Sequence, residues 1–326
     1  MQRREFITLL GGVAVWPLAV QAQGLPAGYP DHPITLIVPY APGGGNDVLA
    51  RAVADPMAKI LGQPLVVENR GGAGGSVGTR QIAKAPPDGY TLGLGGTGTL
   101  AIDPTLYPNA GYDPRKDFAP VGLIATSPLI VLVNQSVAAH TVQELIALAK
   151  AQPGKLNYAS AGPGSGIHLG TVLFADTAGI DITHVPYKGS GPALTDLLGG
   201  HVQIYFSSLP PAVGLVKEGK VRALAVTGLK RSGTFPDMPT VAEQGLPGFE
   251  AVLHYGIVAP AGTPRPIVDK LNAALRAALG DPKVHGHIAT EGAEPLPTSP
   301  DEYAADIDRE ETKWSALVKK SGASAK

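Results

Sequence analysis

The 326-residue chain contains no cysteine at all. This absence excludes disulfide bonds, thiol catalysis, Cys-ligated zinc and a lipid-anchored N-terminal cysteine. It does not indicate in which cellular compartment the protein acts. An excess of charge is missing as well, because 26 Lys and Arg stand against 27 Asp and Glu, and no run of five basic residues occurs. We therefore expect no electrostatic binding to nucleic acid or to anionic lipid.

Long apolar runs are absent after the first twenty-odd residues. The chain begins MQRREFITLLGGVAVWPLAVQAQ, in which Arg3 and Arg4 precede an apolar run over residues 6–20. As a helix this run would span ~22 Å, short of the ~30 Å that a bilayer core requires. The pattern predicts a twin-arginine export signal over residues 1–22, cleaved near Ala22, and a mature protein in the periplasm. The alternative is a buried N-terminal helix.

Strand and helix patterns alternate through the rest of the chain, which predicts an α/β fold with mostly parallel strands. ITLIVPY (residues 34–40) is typical of a buried strand, and NDVLARAVADPMAKILG after it is typical of a helix that Pro56 should kink or restart. The order strand, glycine loop, helix recurs in NYAS, AGPGSG and IHLGTVLFADTAG. Two such units predict two lobes that face a shared cleft, with a single larger sheet as the alternative.

Several short motifs resemble catalytic signatures without their context. GGSVG (residues 74–78) matches a nucleophile elbow around Ser76, but a glycine loop precedes it where a strand is required. GLGGTG (residues 93–98) follows a strand, yet no acidic residue ends a second strand about 20 positions later. No phosphate-loop lysine and no HExxH occur, and the eight histidines are scattered. We therefore expect no enzyme, no cofactor and no metal site.

The glycine loop APGGGND leads from a strand into a helix, the outline of an anion-binding cradle. The alternative is a tight turn with an Asn or Asp helix cap. Its recurrence as SAGPGSG favours the binding interpretation, because two loops rich in backbone amides can hold the two ends of a small dicarboxylate.

Longer blocks resemble one known family. VPYAPGGGNDVLAR, VVENRGGAGGSVGT, APPDGYTLGLG, YDPRKDFAPVGLIA, NYASAGPGSGIHLG, HVPYKGSGPALTDLLGGHVQ and VRALAVTGLKRSGTFPDMPTVAEQGLPGFE follow in order the pattern of the Bug/TctC family. These are the periplasmic solute receptors of tripartite tricarboxylate transporters. The resemblance covers residues 29–319, and it includes GGSVG and GLGGTG in blocks that do no catalysis.

The resemblance implies a two-lobed periplasmic-binding-protein (Venus-flytrap) fold with two crossover strands, near residues 127–133 and 254–258. One lobe would combine residues 23–128 with 256–326, and the other would be 129–255. A small carboxylate (a di- or tricarboxylate or an aromatic acid) would bind in the interlobe cleft through backbone amides, hydroxyls and waters. The membrane permease subunits of a tripartite transporter would be the partners of a monomeric receptor.

The resemblance also implies ligand contacts by position. In the first lobe these would be Tyr40, Gly43, Gly44, Asn46, Asp47, Thr97 and Gly98, and in the second lobe Ala161, Gly162, Ser165, His168, Tyr187 and Ser207. Tyr40 would wall the ligand, and the three glycines Gly43, Gly44 and Gly162 would donate amides or hold waters. Ser165 and His168 would hold the distal polar group. Asp47 would organise the loop, since a carboxylate aimed at a carboxylate ligand would repel it.

One position departs from the family pattern. Family members commonly carry an acid after the Q-x-x-F strand, whereas this chain has Ser207 in VQIYFSSLPP. The loss of a negative charge predicts that an amino-acid ligand such as aspartate is disfavoured relative to plain carboxylates. Two alternatives to a transport receptor stay open: a sensory binding protein for a signalling partner, and a serine hydrolase that uses Ser76.

Overall fold

The computed structural model describes residues 25–26, 28–107 and 109–321. The predicted export signal over residues 1–22 lies outside them. Within the described part of the chain, no helix combines the length and the apolar character that crossing a bilayer requires.

Strands and helices alternate along most of the chain. The first elements are β1 (Ile34–Val38), α1 (Gly45–Leu61), β2 (Leu65–Asn69), α2 (Ser76–Ala83), β3 (Thr91–Gly96), α3 (Asp103–Leu106), β4 (Phe118–Val133), α4 (Val142–Ala151), β5 (Asn157–Ser160) and α5 (Gly166–Ala178). They are followed by β6 (Thr183–Pro186), α6 (Ser190–Leu198), β7 (Ile204–Ser208), α7 (Leu209–Lys217), β8 (Arg222–Val226), β9 (Val252–Pro260), α8 (Arg265–Gly280), α9 (Pro282–Thr290), β10 (Glu294–Pro295) and α10 (Pro300–Ser321). A single 3₁₀ turn, Ala73–Gly75, precedes α2, and a π-helical segment, Thr97–Ile102, precedes α3.

The long strand β4 belongs to both halves of the molecule. Its first part pairs with β9 up to Pro128, and β9 continues outward through β3 and β1 to β2. From Leu129 onward β4 pairs with β7 and β8 instead, and β7 continues through β5 to β6. The chain returns at Ala251, whose amide bonds to the Thr227 carbonyl before β9 begins. The predicted two-lobed α/β fold with two crossover strands is therefore confirmed.

The sheet is more mixed than the sequence pattern predicted. β1 is parallel to β2 and β3, and β5 is parallel to β6 and β7. The strands β4 and β9, however, run antiparallel to their neighbours. The reason is the crossover itself, because a chain that leaves one lobe along β4 and returns along β9 must reverse direction between them.

Helix α1 also differs from the prediction, since it continues through Pro56 as one helix from Gly45 to Leu61. Proline removes one backbone hydrogen bond there. Leu49, Val53 and Met57, however, are all buried on the inner side of the helix. Fully burying side chains of this size stabilises by roughly 1.5–3 kcal/mol each, enough to offset that loss.

Candidate functional site

A small cavity lies between the two halves, beyond the carboxyl ends of β1, β3, β5 and β7. Its lining residues are Tyr40, Asn46, Gly96, Thr97, Gly98, Thr99, Ala161, Ser165, Gly166, Ile167, Ser190, Ser208, Leu253, His254 and Tyr255. Its volume is about 20 Å³, room for little more than one water molecule. A ligand as large as a dicarboxylate can therefore enter only when the walls separate.

Several helices begin at this cavity. Asn46 lies in the first turn of α1, Gly166 begins α5, Ser190 begins α6, and Thr97 begins the π-helical segment. Each helix N-terminus carries unsatisfied amides and a partial positive charge, which favour an anion. Among the described residues no Lys, Arg, Asp or Glu lines the cavity. The positive potential there comes from oriented peptide groups, without a fixed cation.

The first loop, residues 39–44, is held by a chain of polar side chains. The Gly43 amide donates to Asp47 Oδ2 at 3.0 Å, and Arg51 Nε donates to Asp47 Oδ1 at 3.0 Å. Arg51 Nη2 then donates to Asn69 Oδ1 at 3.1 Å, and Asn69 Nδ2 donates to the Tyr40 carbonyl at 3.1 Å. The two ends of the loop are thus joined through charged groups, and Asp47 has the geometry of a residue that organises the loop.

The second loop, residues 161–165, is held by two stacked histidines. The Gly162 amide donates to Ser160 Oγ at 3.1 Å, and that oxygen lies 2.6 Å from His184 Nε2. The Gly164 amide donates to His168 Nδ1 at 3.2 Å. The two imidazole rings stack with their centroids 4.2 Å apart. His168 therefore presents an acceptor nitrogen to the loop, and His184 supports the loop through the Ser160 hydroxyl.

Burial keeps both imidazoles neutral. Burial, together with a smaller effect of the neighbouring His184, lowers the pKa of His168 to about 3. Burial likewise lowers the pKa of His184 to about 4. A neutral imidazole has one nitrogen free to accept a hydrogen bond, so His168 can accept the hydrogen bond from the Gly164 amide at neutral pH.

The phenols of the cavity wall are neutral as well. Burial raises the pKa of the Tyr40 and Tyr255 hydroxyls above their ordinary range. Both can therefore donate a hydrogen bond to an anion at any physiological pH.

Contacts between the halves close the cleft on two sides. The Ala41 amide donates to the Lys188 carbonyl at 3.2 Å, and the Tyr107 hydroxyl donates to the Pro163 carbonyl at 2.8 Å. Gly74 packs directly under the second loop, where an added Cβ would lie 1.9 Å from the Pro163 carbonyl oxygen. Only glycine allows this approach.

The structure brings six of the predicted contact residues to the cavity: Tyr40, Asn46, Thr97, Gly98, Ala161 and Ser165. Gly43 and Gly44 lie at the interlobe contact, against Gly191 and Ser190. Their neighbour Asp47 and the pair Gly162 and His168 lie behind the two loops, in the hydrogen bonds described above.

The remaining two predicted residues point elsewhere. The Tyr187 hydroxyl donates to Asp196 Oδ2 at 2.6 Å. Ser207 is fully buried and donates to the carbonyl of Ser208 at 2.8 Å. Ser208, its neighbour in the chain, lines the cavity instead.

Sequence reasoning missed the hydroxyls of Ser190, Ser208 and Tyr255. Two of them had a local signal, because Ser190 follows Gly189 at the start of a helix and Ser208 precedes Leu209 and two prolines. Tyr255 had no such signal, since its place depends on the pairing of β9 with β3 across the molecule.

The catalytic alternative finds no support in the geometry around Ser76. Its Oγ donates to the Ala73 carbonyl at 2.9 Å, and the residues before it form a 3₁₀ turn, not a strand. Within the described ranges, no three acidic or histidine side chains are grouped so as to hold a metal ion.

Known proteins are similar to this chain in sequence and in fold. A family model for the tripartite tricarboxylate transporter family receptor matches residues 49–323. The solved periplasmic binding protein BugD is 39% identical, with a TM-score of 0.88 over 91% of this chain and 99% of that chain. An R. palustris protein solved with adipate is 38% identical, with a TM-score of 0.88 over 91% and 99% of the two chains. MatC from Rhodopseudomonas palustris, solved with bound malate, is 37% identical, with a TM-score of 0.86 over 89% and 100%.

Proposed function

The chain belongs to the tripartite tricarboxylate transporter receptor family, and we propose that it captures a small carboxylate between its lobes and delivers it to membrane permease subunits. The ligand is a di- or tricarboxylate or an aromatic acid. The two relatives solved with adipate and with malate support this class of ligand.

The observation that carries the proposal is the convergence of helix N-termini on a cavity that no Lys, Arg, Asp or Glu of the described residues lines. A cation would require a carboxylate partner there, and a neutral solute would gain little from the dipoles. A carboxylate, in contrast, accepts several hydrogen bonds from amides and hydroxyls, and such charge-assisted bonds are roughly twice as strong as neutral ones.

Direct contacts are proposed for the six predicted residues at the cavity wall, named above, together with Ser190, Ser208 and Tyr255. Gly43, Gly44, Asp47, Gly162, His168, Tyr187 and Ser207 act by shaping the walls. The lobes are proposed as residues 23–128 with 256–326, and residues 129–255.

Transport follows from the two-lobed fold. The separated lobes admit the carboxylate, both loops engage it, and the lobes close about the crossover strands. A ligand favours the closed state only through contacts that the open state lacks. The closed protein presents its surface to the permease. The protein is exported to the periplasm, and its signal is cleaved near Ala22. It acts as a monomer, without nucleic acid, cofactor or catalysis.

A sensory receptor with the same binding site is the second candidate, and deletion of the gene for this protein separates the two. Loss of carboxylate uptake supports transport, whereas intact uptake with a lost transcriptional response supports sensing.

A thermal-shift screen of residues 23–326 tests the proposal. Mono-, di- and tricarboxylates, aromatic acids and amino acids are each added to the purified protein. A ligand at about 100 times its dissociation constant should stabilise the protein by about 2.7 kcal/mol. If no carboxylate raises the melting temperature, the proposed function is wrong.

A further inference from the structure

Helix α7 meets the cavity differently from the other helices. Its first residue, Leu209, already directs its amide to Ser127 Oγ at 3.4 Å. The next two residues are Pro210 and Pro211, which have no amide hydrogen. This helix end therefore has a dipole but no backbone donor to offer, and it cannot hold a carboxylate as the ends of α1 and α5 can.

The side chain at this end is an unpartnered hydroxyl. Ser208 is 1% exposed and lines the cavity, and its Oγ makes no hydrogen bond of good geometry with any described residue. The side chain does not cap α7 either. A buried hydroxyl without a partner has lost its hydrogen bonds to water, so a ligand group that bonds to it should bind more tightly than one that does not.

A second hydroxyl and a glycine complete the pocket around Ser208 Oγ. The Tyr255 hydroxyl lies beside it, and its interaction with Ser208 lowers the pKa of the phenol against the larger rise caused by burial. A Cβ added at Gly45 would lie 2.5 Å from Ser208 Oγ and 3.1 Å from the Tyr255 hydroxyl. The glycine at the start of α1 thus lets the backbone pack directly against the two hydroxyls, where a larger residue would displace Ser208.

We propose that this pocket, formed by Ser208, Tyr255 and Gly45, binds a hydroxyl group of the ligand, so that the preferred ligands are hydroxycarboxylates. The inference rests on the proposed function and narrows its substrate class. A hydroxyl can donate to Ser208 and accept from Tyr255 in turn. An ammonium group would need an anionic partner, and within the described residues no carboxylate lines the cavity. A methylene would leave the Ser208 hydroxyl unpartnered.

Matched ligand pairs test the inference by calorimetric titration of residues 23–326. Each pair differs only by the hydroxyl: malate and succinate, 2-hydroxyglutarate and glutarate, lactate and propionate. We expect the hydroxy acid of the pair that binds best to bind about 10-fold tighter than its parent, since a site built for a hydroxyl rejects the analogue without it. Aspartate, which places an ammonium at the same carbon, should bind more weakly than succinate.

Two variants assign the preference to the pocket. Ser208→Ala should reduce the ratio of affinities to about twofold or less, and because the side chain caps nothing, the fold should be retained. Tyr255→Phe should reduce the ratio in part. Ser207→Ala is the matched control, since this neighbouring buried serine faces away from the cavity; both affinities should change alike and the ratio should persist.

The outcomes separate this inference from the proposed function. If parents bind as tightly as their hydroxy acids, the hydroxycarboxylate inference is wrong although the carboxylate receptor stands. If the preference survives Ser208→Ala, the assignment to this pocket is wrong. If no member of any pair binds, the inference is wrong, and the thermal-shift screen with tricarboxylates and aromatic acids decides the proposed function separately.

Discussion

The two loops at the cavity both connect a strand to a helix, but charged side chains hold one loop and neutral side chains hold the other. The first loop is held by a carboxylate and a guanidinium, through the Asp47–Arg51 pair. The second loop is held by two neutral imidazoles: His168 accepts from the Gly164 amide, and His184 contacts Ser160 Oγ. Both arrangements consume loop amides, at Gly43, Gly162 and Gly164, to fix the backbone. Much of the hydrogen bonding in these two glycine loops therefore fixes the loop backbone and is not available to the ligand.

The largest effect is expected where the opposite lobe touches the second loop. Gly74→Ala places a Cβ 1.9 Å from the Pro163 carbonyl oxygen, so the lobes cannot close and affinity should fall by more than about 100-fold, as much as several hydrogen bonds provide. The same change also strains the backbone, because Gly74 has φ +65°. Gly62→Ala is the control, with φ +77° and open space around it. Unchanged affinity in Gly74→Ala would show that closure at this point is not required.

The next effect concerns the first loop. Asp47→Ala removes the acceptor of the Gly43 amide and of Arg51 Nε, and hydrogen bonds to a charged group are worth about 1.5–3 kcal/mol. We expect a loss of affinity of about 10- to 100-fold, measured by titration with the best carboxylate. Asp47→Asn, which keeps one oxygen acceptor, should lose less. If Ala and Asn behave alike, the loop does not depend on this acceptor.

The second loop should make stability depend on pH. The pKa of His168 is lowered from 6.5 to about 3 in the folded protein, so between these values the unfolded chain binds more protons. Stability is therefore full above pH 6.5 and is lost as the pH falls, by about 2 kcal/mol at pH 5 for this residue. His184 acts in the same direction, with a smaller effect because water reaches its ring. Asp103 lies against Gly164 and opposes them, since burial raises its pKa and its protonation favours the folded state.

His168→Asn isolates this dependence. The Asn side chain can accept from the Gly164 amide as Nδ1 does, but it does not titrate. The loss of stability between pH 7 and pH 5 should shrink by about 2 kcal/mol relative to the unaltered protein, because the opposing Asp103 contribution is common to both. Thermal unfolding at several pH values measures it, and equal slopes in the two proteins would contradict the role given to His168.

The smallest effect is expected at Tyr187. Its hydroxyl donates to Asp196 and not into the cavity. Tyr187→Phe should therefore change the affinity by no more than about twofold, as is usual for an exposed polar pair. A loss above about 10-fold would restore Tyr187 as a ligand contact.

Several residues at the cavity could be predicted from local stretches of the sequence. The strand, glycine loop and helix order predicted loops at the ends of β1 and β5, and the family resemblance proposed Tyr40, Asn46, Ala161 and Ser165 there; all four line the cavity. These positions follow from the geometry of parallel strands and depend on few distant contacts.

The pairing of strands that are far apart in the sequence could not be predicted in the same way. Whether Ser207 or Ser208 faces the cavity depends on how β7 pairs with β4, and a shift of one residue reverses the two faces of a strand. Likewise, Gly162 lies in the predicted loop and His168 in the helix after it, but the Gly162 amide bonds to Ser160 and His168 Nδ1 to Gly164. The sequence therefore predicted which residues lie near the cavity better than it predicted the direction of each side chain.

The central claim is that helix N-termini and hydroxyls, without a fixed cation, bind a carboxylate between the lobes. Calorimetric titration with succinate and malate, each against its uncharged diamide, tests it most directly. The account predicts that at least one of the two dicarboxylates binds about 100-fold tighter than its diamide, since only the anion gains charge-assisted hydrogen bonds from the helix ends. Binding of a diamide as tightly as its dicarboxylate would contradict it.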